Sequence, residues 1–143
     1  MPDGLPQLRS VVLDTTDARG LAEFYRQFLG YEYRAGDESP APGEPDPAGG
    51  DWLVLVDPGG GPRLGFQQVD ELIPSTWPAD DVPQQLHLDL SVPTADELVA
   101  QDERVRALGA RRLLDRFDHP DEPLYVYADP AGHPFCIFVA PPP

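Results

Sequence analysis

The spacing of apolar residues changes period several times along this chain, and each change marks an element. Leu8–Leu13 is a short run of β-forming type. Thr15-Thr16-Asp17 follows and offers N-cap oxygens. Leu21, Phe24, Tyr25, Phe28 and Leu29 then recur at helical spacing and form one apolar face, and Gly30 is placed to end that helix. Tyr31–Arg34 predicts a strand. Ala35–Gly50, built from Pro, Gly and acidic residues, predicts a mobile loop. Trp52–Val56 and Leu64–Val69 are compact apolar runs around Asp57-Pro58-Gly59-Gly60-Gly61-Pro62, a turn by composition, so they read as a hairpin.

Asp70–Gln85 is a proline-bearing connector with Trp77 at its middle, and after it the order repeats. Leu86–Val92 predicts a strand. Thr94-Ala95-Asp96-Glu97 has capping-box spacing. Leu98, Val105 and Leu108 supply a helix face that Asp102 weakens, and Gly109 closes the helix. Arg112–Phe117, Tyr125–Ala128 and Phe135–Val139 predict three further strands, the last two joined by Asp129-Pro130-Ala131-Gly132-His133-Pro134. Leu29-Gly30 recurs as Leu108-Gly109, and Asp57-Pro58-x-Gly60-x-Pro62 recurs as Asp129-Pro130-x-Gly132-x-Pro134. Each half therefore reads strand, helix, three strands. A half of this size cannot cover both faces of its own sheet, so the halves are expected to pair into one domain over 1–143. Module one spans about 8–69, the connector 70–85, and module two about 86–140.

Composition narrows the function classes. With 143 residues and 41% hydrophobic content the chain can bury a core. Ten basic against 25 acidic residues give a formal charge of −15, a surface that repels phosphate backbones and anionic membranes, so neither nucleic acid nor membrane is an expected partner. A lone cysteine, Cys136, forms no internal disulfide. No leader-like segment opens the chain and no apolar run has membrane-spanning length, which makes the cytoplasm the default expectation. No phosphate-binding loop, nucleophile elbow, CxxC or His-Glu-x-x-His motif occurs.

The strings Ser10-Val11-Val12-Leu13-Asp14, Phe24-Tyr25, Leu29-Gly30-Tyr31, Gln84-Gln85-Leu86-His87-Leu88-Asp89-Leu90 and Tyr125-Val126-Tyr127-Ala128-Asp129-Pro130-Ala131-Gly132-His133 carry a resemblance. The chain resembles the vicinal-oxygen-chelate superfamily (glyoxalase, bleomycin resistance, extradiol dioxygenase), and within it the glyoxalase-like members, over about Leu8 to Ala140. The resemblance implies an α+β fold of two βαβββ modules forming an open, U-shaped mixed sheet, and a homodimer. It also implies a groove in which many members hold a divalent metal through four pseudo-symmetric strand positions. Those positions map here onto Ser10 and His87 at the openings of the two halves and onto Leu64 and Cys136 in the closing strands. Gln67 or Gln68 replaces Leu64 if the register slips.

A catalytic divalent site typically uses three protein ligands and an open position, and this set holds only His87 and Cys136. The expectation is a groove without its usual metal. Should an ion bind there, His87 and Cys136 would be its ligands, with zinc, nickel, manganese and iron the candidates. His87, Asp89 and Ser91 alternate on one strand face. There the imidazole–carboxylate pair is either a catalytic pair, with His87 and Asp89 handling a proton, or a structural one. Ser10, Leu64, Phe66, Trp77 and Cys136 are the candidate ligand-binding residues, although a free cysteine in apolar company, as Cys136 is, is usually an inert core thiol. His119 and His133 read as loop residues, and Arg63 as a surface cation. Two functions lead, ahead of a third reading as an interaction or regulatory domain. One is a module that binds a small organic molecule without chemistry, as bleomycin-resistance proteins of the superfamily do. The other is an atypical lyase, isomerase or dioxygenase acting through His87.

Overall fold

The computed structural model describes residues 4–142. The chain divides into two compact units, Met1–Glu71 and Leu72–Pro143. The first contains β1 (Ser10–Thr15), α1 (Ala18–Leu29), β2 (Glu32–Tyr33), β3 (Trp52–Val56) and β4 (Arg63–Gln68). The second repeats the order with β5 (Leu88–Val92), α2 (Ala95–Leu108), β6 (Arg111–Arg116), β7 (Leu124–Ala128) and β8 (Pro134–Val139). Each unit has a four-stranded mixed sheet, in the orders β1-β4-β3-β2 and β5-β8-β7-β6. In each, the first strand pairs parallel with the last, and the remaining pairs are antiparallel. The expected α+β class and the strand–helix–three-strand repeat are what the structure shows.

In the first unit, Asp17 caps α1 by accepting from the Gly20 amide, and Gly30 ends it in the left-handed conformation. The buried face holds Leu21, Phe24, Tyr25 and Phe28, with Ala18 and Ala22 completing it. Tyr25 stacks on Phe66 of β4, with ring centroids 5.8 Å apart, so Phe66, Leu64 and the alternate β1 residues Leu13 and Thr15 face the helix. Burying one such aromatic contributes about 1.5–3 kcal/mol. Gln68 is engaged at the helix start: its Oε1 accepts from the Ala18 amide at 2.8 Å and its Nε2 donates to the Thr16 carbonyl at 2.7 Å.

Two expectations for this unit change. Leu8 is 76% exposed and lies outside β1, because pairing with β4 begins only at Ser10↔Arg63. Ala35–Gly50 has no regular structure, as its composition predicts, yet it is tied down. Arg19 donates from Nε and Nη2 to both oxygens of Asp46 at 2.8 Å and from Nη1 to the Asp37 carbonyl at 2.6 Å, while its guanidinium lies over the Tyr33 ring. A bidentate charge-assisted pair of this kind is among the stronger surface contacts. It pulls the Asp46 carboxyl down to about 2.

In the second unit, Thr94 caps α2 by accepting from the Glu97 amide at 3.2 Å, and its hydroxyl donates to the Glu97 carboxylate at 3.1 Å. The α2 face runs Leu98, Asp102, Val105, with all three buried. The reading of Asp102 as a flaw in that face is therefore corrected. Asp102 is 5% exposed and accepts from the Tyr127 hydroxyl at 2.7 Å, from Arg106 at 2.9 Å and from Arg112 at 3.2 Å. A buried carboxylate persists when its oxygens are filled in this way. The strand expected from Leu86 begins at Leu88, since Leu88↔Phe135 is the first parallel pair. Among the described residues, no helix is long and apolar enough to cross a membrane.

Candidate functional site

Strand register in the second unit assembles a row of side chains across one sheet face. Asp89 pairs with Cys136, Cys136 with Val126, and Val126 with Leu114. Side chains alternate along each strand, so this row and the next, Phe138–Leu124–Arg116, share the face opposite the buried Phe135, Tyr127 and Ile137. A bulge between Arg112 and Leu114 in β6 makes this arrangement. One extra residue there leaves Arg112 on the α2 side, bonded to Asp102, and turns Leu114 and Arg116 to the other.

These residues line a cavity of about 420 Å³. Trp77 and Gln84, from the segment ahead of β5, and Glu122, ahead of β7, complete its wall. Trp77 is carried on a closed loop: the Thr76 amide donates to the Val82 carbonyl at 2.8 Å, and the Val82 amide donates back to Thr76 Oγ1 at 2.8 Å. His119 Nδ1 accepts from the Asp121 and Glu122 amides and so shapes the turn that holds Glu122. The Asp129 side chain accepts from the Ala131 and His133 amides. The Asp-Pro-x-Gly signature is thus a structural turn.

On the β5 side, Cys136 Sγ donates to Asp89 Oδ1 at 2.9 Å, and His87 Nε2 lies 3.2 Å from the same oxygen. Burial, reinforced by the hydrogen bond to Asp89, pushes the Cys136 thiol up to about 12. At neutral pH it is a hydrogen-bond donor, not a nucleophile.

The structure brings His87, Asp89, Cys136 and Trp77 together in this one cavity. It places the other candidates elsewhere. Leu64 and Phe66 are 6% and 0% exposed in the core of the first unit. Ser10 opens β1 opposite Arg63. The position of Leu64 needs a correction. Measured from the Asp-Pro turn, pairing of β3 with β4 (Leu55↔Leu64) is offset by one residue from pairing of β7 with β8 (Ala128↔Pro134). A slip of one residue exchanges the faces of a strand, so the counterpart of Cys136 is Gly65. A Cβ at Gly65 would meet Val12 at 3.1 Å and the Trp52 ring at 3.3 Å, so the indole occupies the space a side chain would need. Sequence reasoning did not single out Gln84, Leu114, Arg116, Glu122, Leu124, Val126 or Phe138. Alternation from Cys136 points to Phe138, but cross-strand register was needed for the rest.

A model of the glyoxalase-like domain matches residues 10–138. The chain belongs to the glyoxalase-like domain family. No curated protein matches it. Among solved structures, this glyoxalase-like domain is similar to a glyoxalase/bleomycin resistance protein/dioxygenase family enzyme from Burkholderia phytofirmans (TM-score 0.66, 18% identity, covering 94% of this chain and 98% of that one). It is similar to a glyoxalase/dioxygenase from Nostoc punctiforme (TM-score 0.66, 20% identity, 99% and 96%). A third similar structure is a variant of the fosfomycin resistance protein FosX from Listeria monocytogenes, complexed with Mn(II) and 1S,2S-dihydroxypropylphosphonic acid (TM-score 0.66, 17% identity, 98% and 94%). At these identities the likeness is one of fold.

The metal that the resemblance implies does not fit the residues present. With the register corrected, the four family positions hold Ser10, Gly65, His87 and Cys136. Ser10 and Gly65 bring no ordinary ligand, which leaves His87 and Cys136, short of the three protein ligands such a site uses. Among the described residues, no three His, Cys, Asp or Glu side chains are grouped so as to hold an ion.

Proposed function

We propose that this glyoxalase-like domain binds a small, largely apolar organic molecule in the cavity of its second module, without a catalytic metal. The observation that carries the reading is the cavity itself. At about 420 Å³ it falls in the size range of small-molecule sites, and it sets Trp77, Leu114, Leu124, Val126 and Phe138 beside polar groups that include His87, Asp89 and Arg116. Shape and apolar contact supply affinity in such a site, and the polar groups set orientation.

A fragment screen read by thermal shift tests this. A ligand at a hundred times its Kd adds about 2.7 kcal/mol and moves the melting temperature by several degrees. The indole of Trp77 is expected to report the event, so Trp77→Phe loses the fluorescence change and Trp52→Phe keeps it. A library that moves neither melting temperature nor fluorescence would reject the proposal.

The His87–Asp89 contact at 3.2 Å supports a second reading, an atypical lyase, isomerase or dioxygenase using His87 to move a proton. Metal analysis of untagged protein after exposure to zinc, nickel, manganese and ferrous iron separates the two. We expect no stoichiometric ion. Metal that is retained by the wild type and lost in His87→Ala would favour the enzyme.

A further inference from the structure

The two Asp-Pro-x-Gly turns are built alike and surrounded differently. In the first, Gly60 stands at φ +85° and its amide donates to the Asp57 carbonyl at 3.0 Å. In the second, Gly132 stands at φ +96° and its amide donates to the Asp129 carbonyl at 2.8 Å. Both positions favour glycine for the backbone conformation alone. A Cβ at Gly60 would meet nothing within 4 Å, whereas a Cβ at Gly132 would lie 2.5 Å from Pro74 Cβ and 3.4 Å from Pro74 Cα. The turn does not require Pro74, as the first copy shows, yet in the second copy Pro74 fills the space that a side chain would take.

Pro74 stands at the base of the loop that carries Trp77 into the cavity wall. From Ser75 to Val82 that loop is bonded to itself. The Thr76 amide donates to the Val82 carbonyl and the Ala79 amide to the Thr76 carbonyl, while the Val82 amide donates to Thr76 Oγ1 and the Trp77 amide to Ser75 Oγ. Among the described residues no hydrogen bond joins this loop to the sheet. A loop closed on itself is a compact body, so packing at its base sets where it sits. Gly132 lies two residues ahead of β8, the strand that brings Cys136 and Phe138 to the cavity. We propose that Gly132 is a positioning residue for the cavity: by leaving room for Pro74 it seats the Trp77 loop at the head of β8, and so sets how tightly the cavity holds an apolar molecule. The effect on affinity rests on the binding proposal above; the seating of the loop does not.

The test reads Trp77 by acrylamide quenching of the whole chain carrying Trp52→Phe, in which Trp77 is the one tryptophan left. Affinity is read by titrating 2-naphthol against the same protein with ligand-observed NMR. Gly60→Ala is the control, since it carries a like backbone strain with nothing to meet. Gly132→Ala and Pro74→Gly should each raise the quenching of Trp77 and weaken 2-naphthol about three- to ten-fold, the size of a misplaced aromatic contact. Gly60→Ala should leave both readings as in the parent. The double variant Gly132→Ala with Pro74→Gly should be no worse than either single one, because both remove the same contact. Pro74 is exposed, so its variant carries the test if Gly132→Ala does not fold. Quenching unchanged in Pro74→Gly, quenching raised equally by Gly60→Ala, or effects that add in the double variant would each overturn the assignment. Raised quenching in a protein whose parent binds no 2-naphthol at millimolar concentration upholds the seat and counts against the binding proposal.

Discussion

In the folded protein at about pH 8, Cys136 is expected to alkylate about a thousand-fold more slowly than in urea, because only the thiolate reacts. The thiol sits at about 12 when folded against an ordinary value of 9.0. Burial is the larger cause and the hydrogen bond to Asp89 the next, so the two can be separated by substitution. Asp89→Asn removes the carboxylate charge and keeps the burial. It should speed native alkylation by roughly ten-fold, the size of one unit of thiol ionisation.

The same shift links stability to pH. The folded thiol ionises later than the unfolded one, so its contribution is complete below about pH 9 and is lost as pH rises from 9 towards 12. Urea midpoints on the alkaline side should therefore fall for the wild type and fall less for Cys136→Ala. Rapid, stoichiometric modification of the native protein with a midpoint at or below 9 would show an available thiolate. That result would reopen Cys136 as a nucleophile or metal ligand.

Asp102→Ala is expected to cost about 3 kcal/mol, since removing one member of a buried, hydrogen-bonded network strands the others. Tyr127 is 0% exposed, and its hydroxyl donates to Asp102 at 2.7 Å, so the substitution leaves a buried donor with nothing to bond. Arg106 and Arg112 also lose their carboxylate, but both reach solvent and contribute less. The melting temperature should drop on the order of 10 °C for a chain of this size. Combining Asp102→Leu with Tyr127→Phe removes donor and acceptor together and should recover a substantial part of the loss. The non-additivity of that pair measures the bond. An Asp102→Ala protein as stable as the wild type to within about 0.5 kcal/mol would show that the network contributes nothing measurable.

Asp102 also shows where a one-dimensional reading stops. Within α2 it breaks an apolar face, because the residues that neutralise it lie on other elements: Arg112 on β6 and Tyr127 on β7. Leu64 failed differently. Two turns with the same Asp-Pro-x-Gly pattern close their hairpins one residue apart, and the period of two along a strand converts that single residue into the opposite face.

Local chemistry decides what the sequence alone determined. The helix faces follow from side-chain period, the caps at Asp17, Thr94 and Gly30 from orphan backbone groups that only nearby residues can satisfy, and the repeat from recurrence of these signals. The family resemblance is carried by short strings of the same kind; it implies His87 and Cys136 as groove positions, and strand alternation from His87 adds Asp89. Tertiary structure decided everything that depends on register across strands. The Asp89–Cys136–Val126–Leu114 row, the β6 bulge that turns Arg116 towards the cavity, and the convergence of Trp77 and Gln84 on it join residues far apart in the chain. Pairing and packing bring such residues together, and no local period encodes which strand lies beside which.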